Sequence, residues 1–204
     1  MKAMKLQLAN KTLLNPGAPQ WERAPRIHLA LRGTESSAQP SAYVRTAWAG
    51  KHIGAVRSLS VQAAHNRQNL FFRLEWADPT HNPDYGDGSV FPDAAAVLFP
   101  MNGQADLNRM GSPAAGIAAW YWRANHPDYG ESLAFHGFAT EERLPAPLVL
   151  NSASWADGRW HVVIGAPLSA APAEAVAFAV WEGSNQERAG LHSYSPAWAE
   201  FGIE

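Results

Sequence analysis

The stretch LVLNSASWADGRWHVVI, residues 148–164, contains two strand-forming runs on either side of a turn signal. The runs Leu148–Ser154 and Trp160–Ile164 are rich in aliphatic, β-branched and aromatic residues, which favour β-strands. The dipeptide Asp157-Gly158 lies between them. Asp-Gly is typical of tight hairpin turns, because both central residues must adopt positive φ. The stretch therefore predicts an antiparallel hairpin.

Similar signals recur along the whole chain, whereas helical periodicity is weak throughout. A second predicted hairpin joins Leu59–Ala63 to Leu70–Trp76 through a polar loop at residues 65–68. The other predicted strands are Arg26–Leu31, Ala94–Phe99, Gly116–Trp122, Ser132–Gly137 and Ala175–Trp181. About nine short strands predict an all-β fold, an antiparallel sandwich or barrel. A chain of 204 residues is expected to form one domain, with residues 1–17 as an extended N-terminal segment.

Composition excludes several classes of function. The 16 Lys and Arg residues are balanced by 18 Asp and Glu residues, so the chain has no strongly basic surface for nucleic acid. The absence of cysteine excludes disulfides, thiolate-bound metal clusters and covalently attached c-type haem. No run approaches the roughly 18 apolar residues of a membrane span. Charged residues are only 17% of the chain and there are nine Trp residues, a composition that favours a protein partner or a flat ligand.

Motifs for hydrolysis and phosphate binding are missing. The chain has no Gly-x-Ser-x-Gly nucleophile elbow and no Gly-rich phosphate loop. A glycosidase would need two carboxylates that face one groove, and nothing in the sequence pairs the candidates Glu75, Asp78, Asp93 and Glu182. A Ca²⁺ loop is a further hypothesis, although no EF-hand spacing connects Asp78, Asp84, Asp87 and Asp93.

Two residues are candidate metal ligands. Met101 follows an apolar strand that stops at Pro100, and a thioether held at a strand end is a suitable soft ligand for iron. The alternative is a methionine that fills a gap in the core. His192 follows an aromatic strand and a polar loop. Its neutral imidazole is either a metal ligand or a hydrogen-bonded loop residue.

An ordered series of segments extends over most of the chain, from about Gln20 to Trp198. Its members are Ala18–Pro25, Leu70–Thr80, Asp93–Met101, Met110-Gly111, Ala119–Ala124, Trp155–Trp160 and Phe178–Arg188. This series resembles the haem b-binding γ subunits of molybdenum enzymes such as ethylbenzene dehydrogenase, dimethylsulfide dehydrogenase, and chlorate and selenate reductases. The resemblance implies a β-sandwich with long loops and with haem b in a pocket between its sheets.

The resemblance also implies axial ligands for the haem iron. Met101 matches the family's axial methionine. The family's second ligand is a lysine after the Gly-Ser loop, but no lysine follows Lys51 in this chain. His192 stands near that position and is expected to replace the lysine, with His136 as an alternative and loss of haem as a third possibility. The expected pocket residues are Phe99, Trp120, Trp122, Phe178 and Trp181, and the candidate propionate partners are Arg73, Arg123, Arg159 and Arg188.

A haem iron with two axial protein ligands carries electrons and has no open site for a substrate. The resemblance therefore implies a non-catalytic electron-transfer subunit. Its expected partners are a molybdenum-cofactor α subunit, an iron–sulfur β subunit and an external carrier such as a cytochrome c, and its expected compartment is the periplasm. The main rival is a carbohydrate- or small-ligand-binding sandwich without haem. Two further hypotheses are a purely structural subunit and a stand-alone hydrolase.

Overall fold

The computed structural model describes residues 1–103, 105–171 and 174–204 of the chain. Two short helices occur in these residues, α1 at Asn10–Leu14 and α2 at Ala42–Ala47. The described strands, numbered in chain order from β1 to β14, are Lys2–Lys5, Ile27–Ala30, Arg32–Gly33, Ser58–His65, Asn69–Ala77, Ala94–Pro100, Ile117–Arg123, Gly130–Phe135, Glu142–Ala156, Arg159–Pro167, Ala175–Trp181, Ser193–Tyr194, Ala199–Glu200 and Gly202–Ile203.

The strands form one continuous curled sheet in the order β14-β1-β4-β5-β10-β9-β8-β7-β6-β11-β12-β3, with β2 paired to β4 and β13 paired to β11. The predicted all-β fold is confirmed, and its shape is a half-barrel in which two halves of one sheet face each other. Strand β9 joins the halves, because its first residues pair with β8 and its last residues pair with β10.

The two predicted hairpins are confirmed. In the β9–β10 hairpin, Trp155 pairs with Trp160 across a turn whose central residues, Asp157 and Gly158, have φ values of 52° and 69°. Both values lie in the left-handed region that this turn requires. The N-terminal segment is more structured than expected. Strand β1 pairs in parallel with β4 and β14, and α1 packs against the outer face of β5 and β10.

Aromatic side chains fill the space between the two halves of the sheet. The ring of Phe72 lies 5.4–6.3 Å from four other rings, those of Phe99, Trp120, Phe178 and Phe201. In a second group, the rings of Trp76, Trp122 and Trp160 pack against one another at tilted or edge-on angles, with centroid separations of 5.0–6.4 Å. Four residues expected to line a haem pocket between sheets therefore pack against one another and against the facing half: Phe99, Trp120, Trp122 and Phe178.

The opposite face of the half formed by β6, β7, β8 and β11 is also apolar. Loops cover this outer face and bring Ala105, Leu107 and Trp198 against it. The cover leaves a pocket beneath the loops, and this pocket is the candidate site. Within residues 1–103, 105–171 and 174–204, no helix combines the length and apolar character needed to cross a membrane.

Candidate cofactor site beneath the outer loops

The pocket lies between the outer sheet face and three loop segments. It measures about 530 Å³ with its mouth and about 100 Å³ where it is enclosed. The enclosed volume of about 100 Å³ is smaller than the roughly 300–1,000 Å³ of sites for drug-sized ligands and cofactors, so a large ligand would require the loops to open. Its lining is mainly apolar and consists of Met110, Tyr121, Leu133, Phe135, Gly137, Phe138, Ala139, Glu141, Trp181, Ala189 and Gly190.

Met110 is a buried pocket residue in an unusual backbone conformation. Its side chain is 3% exposed, and its φ and ψ of 57° and 41° lie in the left-handed region. Non-glycine residues rarely adopt this region, and those that do cluster at functional sites. Two backbone hydrogen bonds hold the conformation: the Met110 N–H donates to Leu107 O at 3.4 Å, and the Met110 carbonyl accepts from Gly137 N at 3.0 Å. These bonds hold the Met110 backbone at the pocket wall.

His192 is fully buried behind the pocket wall. Its Nδ1 lies 3.1 Å from the carbonyl oxygen of Ala189, so this nitrogen carries the proton and Nε2 keeps its lone pair. The Trp181 Nε1–H donates to the same carbonyl at 2.9 Å, and the two rings lie 4.8 Å apart. Burial lowers the pKa of His192 to about 4, so the ring is neutral at pH 7.

Nε2 of His192 is a buried acceptor that has no hydrogen-bond partner among the described residues. An unsatisfied buried polar atom costs about 1–3 kcal/mol and calls for an explanation. Metal-binding histidines have this arrangement, in which the second ring nitrogen donates to a carbonyl and so fixes the tautomer and orientation. A neutral imidazole and a thioether are side-chain types that bind haem iron; Met110 lines the pocket, whereas His192 lies behind its wall residues Trp181 and Ala189.

Met101 and His192 are not neighbours. Met101 follows Pro100 and is 49% exposed. His192 packs on Trp181, which pairs with Ala94 at the other end of strand β6. The two ends of this strand are about 20 Å apart, whereas a sulfur and a nitrogen bound to one metal ion are about 4 Å apart. The structure therefore does not bring the two expected ligands together.

Met101 has a different histidine beside it. A side chain added at Gly116 would place its Cβ 3.0 Å from the sulfur of Met101 and 2.9 Å from Nδ1 of His136. Both side chains thus lie against the same glycine, at the rim of the sheet. The alternative ligand His136 is therefore close to Met101, but this pair is more exposed than Met110 and His192.

The other expected site residues are divided between three places. Trp181 lines the pocket, whereas the remaining four aromatic candidates belong to the interior described above. The guanidinium of Arg188 lies 4.3 Å above the ring of Phe91. Sequence reasoning missed Met110 as a candidate ligand, although Met110-Gly111 was part of the ordered series and could have directed attention to it.

The fold and pocket define the chain as a β-rich domain with a ligand pocket on one face. Its fold is similar to a putative carbohydrate-binding protein from Bacteroides uniformis, with a TM-score of 0.52, 13% identity, and coverage of 100% of this chain and 98% of that one. It is also similar to a family 9 carbohydrate-binding module from Caldicellulosiruptor kristjanssonii, with a TM-score of 0.52, 9% identity, and coverage of 100% and 95%. At these identities the likeness concerns the fold alone.

Sequence similarity is more specific. Residues 18–146 match the family described as ethylbenzene dehydrogenase. The chain is 32% identical to the chlorate reductase subunit gamma of Ideonella dechloratans, over 95% of this chain and 81% of that one. It is 29% identical to a putative respiratory nitrate reductase heme subunit of Haloferax mediterranei, over 95% and 70%. The chain therefore belongs to the ethylbenzene dehydrogenase family, as its ordered series of segments predicted.

Proposed function

We propose that this chain is the haem-binding electron-transfer subunit of an oxidoreductase complex. One relative is named as a heme subunit, and another as the gamma subunit of a chlorate reductase. A third, 30% identical over 70% of this chain and 59% of its own length, is the dimethylsulfide dehydrogenase subunit gamma of Rhodovulum sulfidophilum. Because the chain has no cysteine, the haem cannot be attached through thioether bonds, and the proposed type is haem b.

The observation that carries the proposal is the free Nε2 of His192. It is a buried, neutral donor atom, and its ring is fixed by the hydrogen bond to Ala189. A cofactor metal at Nε2 would remove the cost of leaving this acceptor unpaired. His192 takes the place that the resemblance gives to lysine. Imidazole is the better donor at neutral pH, because lysine must first lose a proton from a group with a pKa near 10.

Met110 is the proposed sulfur ligand. It lines the pocket together with Trp181 and Ala189, and these two residues connect the pocket to His192. Met101 is the less suitable sulfur ligand because its side chain is half exposed at the sheet rim. The wall segment at residues 137–141 must move outward to admit a porphyrin, since the enclosed part of the pocket is only about 100 Å³.

Haem bound here would supply reversible one-electron transfer. Met110 and His192 would hold its iron, and the pocket residues would exclude water and form the apolar walls. Catalysis belongs to the proposed partners, a molybdenum-cofactor α subunit and an iron–sulfur β subunit, with an external carrier such as a cytochrome c as the other electron partner. The proposed compartment is the periplasm. A charged fraction of only 17% supports a surface that contacts other subunits.

The tryptophans give no support to sugar as the ligand; the exposed aromatic side chains of the described residues are the tyrosines Tyr43, Tyr85 and Tyr129. Sugar-binding sandwiches need exposed aromatic platforms on which a sugar ring can stack. All nine tryptophans of this chain are described, and each is buried or half-buried. Trp155, one of the half-buried tryptophans, already stacks on His81 with a ring separation of 5.1 Å. The tryptophans therefore build the core and pocket walls and provide no open stacking surface.

The test is the absorption spectrum of the dithionite-reduced protein after haem has been added. We expect sharp α and β bands in the wild type, and their loss in Met110→Ala and His192→Ala. The variants Met101→Ala and His136→Ala are the matched controls and should keep the wild-type bands. His192→Lys should restore low-spin bands and so show that the site still folds.

Two outcomes would contradict the proposal. The absence of a Soret band in the wild type would exclude haem binding and would leave the sugar-binding or structural role. Loss of the bands in Met101→Ala and His136→Ala, with Met110→Ala and His192→Ala unchanged, would move the haem to the sheet rim.

A further inference from the structure

Three buried carboxylates converge where three strands begin or end. Asp78 follows β5, Asp93 precedes β6 and Glu182 follows β11. One oxygen atom of each carboxylate lies within 4.8 Å of the corresponding atoms of the other two. The exposed fractions of the three residues are 0%, 0% and 7%. This acidic cluster lies outside the proposed haem pocket, although Glu182 directly follows the pocket residue Trp181.

The acidic cluster lacks compensating positive charge. Among the described residues, no Lys, Arg or His forms an ion pair with any of the three carboxylates. Asp78 is fully buried, and its Oδ2 has no well-formed hydrogen bond among those residues; the Trp76 Nε1–H, which also lacks a well-formed bond, is the donor near this carboxylate and carries no charge to balance it. Buried charges are strongly unfavourable unless they are paired or coordinate a metal. The unpartnered Asp78 oxygen therefore indicates a cation as the missing partner.

The hydroxyl of Thr80 lies among the oxygens of the cluster. It lies 3.1 Å from Asp78 Oδ1 and 3.2 Å from Glu182 Oε1. It also lies 2.9 Å from Asn82 Oδ1. A hydroxyl has one proton and can donate to only one of these oxygens, so the group contains more acceptors than donors. Oxygens spaced in this way suit the coordination shell of Ca²⁺, whose Ca–O distances are about 2.3–2.6 Å.

Donors from the surrounding loops hold the carboxylates in position. Asp93 Oδ1 accepts from Gly183 N at 2.9 Å, and its Oδ2 accepts from Asn82 N at 3.0 Å and from Trp160 Nε1 at 2.9 Å. The Glu182 carboxylate accepts from the backbone N–H groups of Ser184 and Asn185 at 3.0 and 3.1 Å and from the Ser184 hydroxyl at 2.8 Å. A carboxylate has about four lone-pair sites, so Asp93 and Glu182, with three such donors each, keep about one site each for a metal ion.

We propose that Asp78, Asp93 and Glu182 form a structural Ca²⁺ site, with Thr80 and Asn82 as neutral oxygen donors. Ca²⁺ takes six to eight oxygen ligands and accepts a site built from protein atoms, whereas Mg²⁺ usually keeps several waters. The burial of this site leaves little room for such waters. The exposed residues Asp84 and Asp87, which sequence reasoning grouped with Asp78 and Asp93, lie outside the site, and Glu182 replaces them.

Burial and mutual repulsion oppose the ionisation of two of the three carboxylates. Burial, followed by the repulsion from Glu182, raises the pKa of Asp78 to about 6. Burial, followed by the repulsion from Asp78, raises the pKa of Asp93 to about 7. The ion would tie together the ends of β5, β6 and β11, and with them the loop that leads from Glu182 to Ala189 and His192.

The test uses the full-length, chelator-treated protein without haem, so that its result does not depend on the proposed electron-transfer role. Tb³⁺ is the luminescent probe. Trp160 donates a hydrogen bond to Asp93, so excitation of tryptophan should sensitise Tb³⁺ bound there. We expect Ca²⁺ to displace Tb³⁺ while Mg²⁺ at the same concentration does not. We also expect Ca²⁺ at 100 times its Kd to raise the melting temperature by about 5–10 °C.

Asp78→Asn should abolish both effects, because it removes the unpartnered carboxylate with little change in volume. Asp87→Asn is the matched control, since Asp87 is exposed in the same connection between β5 and β6, and this variant should behave as the wild type. Glu182→Gln provides the same comparison if Asp78→Asn does not fold. A wild-type protein with neither Tb³⁺ luminescence nor a Ca²⁺-dependent melting temperature would refute the site. So would an Asp78→Asn variant that keeps both.

Discussion

Replacing His192 with leucine should stabilise the haem-free protein. The substitution removes the buried, unpaired Nε2, whose desolvation costs about 1–3 kcal/mol, and it also removes the Nδ1 hydrogen bond, which contributes about 0.5–1.5 kcal/mol. The Ala189 carbonyl is not left unpaired, because it still accepts from Trp181 Nε1 at 2.9 Å. The expected net gain is about 1 kcal/mol, or about 2–4 °C in melting temperature for a chain of this size.

The same substitution should have the opposite effect when haem is present. A ligand that binds only the folded protein stabilises it, and tighter binding gives more stabilisation. His192→Leu removes one proposed haem ligand and should therefore weaken this effect. The wild type should therefore melt above the variant once haem is in excess. The measurement is a pair of thermal unfolding curves for each protein, one without and one with haem, monitored by circular dichroism.

His65→Leu is the control for this reasoning. His65 is also buried, but both of its nitrogens have partners: Nε2 lies 3.0 Å from Glu204 O, and Nδ1 accepts from Arg67 N at 3.4 Å. Leucine at this position removes satisfied hydrogen bonds, so this variant should be about 1 kcal/mol less stable. If His192→Leu destabilises the haem-free protein as His65→Leu does, then Nε2 of His192 is not an unsatisfied atom and its assignment as a metal ligand is refuted.

Two further predictions concern the sheet and its connections. Burial opposes ionisation of Glu75, but four positively charged or basic neighbours hold its pKa below the usual value: Arg73, His161, Arg26 and Arg159. The stability that the ionised carboxylate contributes is therefore complete above about pH 4.5, the pKa range of an unfolded glutamate. This contribution is lost as the pH falls through the folded-state pKa. Glu75→Gln should lower the free energy of unfolding by about 1–3 kcal/mol at pH 7. Urea unfolding at a series of pH values should show that the difference in unfolding free energy between variant and wild type becomes smaller below about pH 4. A difference that does not change with pH would contradict the assignment. Gly183→Ala should lower the free energy of unfolding by about 3 kcal/mol or more, because the added Cβ would lie 1.7 Å from the carbonyl oxygen of Phe91. Gly202→Ala, where nothing lies within 4 Å of the added Cβ, should change the urea midpoint little, and equal midpoints for the two variants would contradict the close contact at Gly183.

The sequence allowed local features of the fold to be predicted. Both hairpins depend on neighbouring residues, namely alternating apolar runs and a turn such as Asp157-Gly158, and both occur where expected. The parallel pairing of β1 with β14 could not be predicted, because it joins residues about 200 positions apart and leaves no local pattern. The continuity of the sheet through β9 could not be predicted either, because it depends on the point at which this long strand stops pairing with β8 and begins pairing with β10.

The candidate site was only partly predictable for a related reason. His192 could be proposed from its position after the aromatic strand β11, but the state of its Nε2 depends on packing against Trp181 and Ala189. Met101 was predicted as the sulfur ligand because it follows an apolar strand and matches the family's axial methionine, and this stays a prediction. Met110 lines the pocket with a left-handed backbone whose carbonyl accepts from Gly137 N, and neither feature can be inferred from residue spacing.

The sharing of β9 between both halves has a consequence for how the protein unfolds. Separating the halves would break hydrogen bonds to β8 or β10 and would open the aromatic interior to water at the same time. The halves therefore cannot melt one after the other. Calorimetric and van 't Hoff enthalpies should agree, as they do for a two-state transition. Amide hydrogens at the centres of β5 and β7, in opposite halves, should exchange through the same global opening and show the same protection free energy.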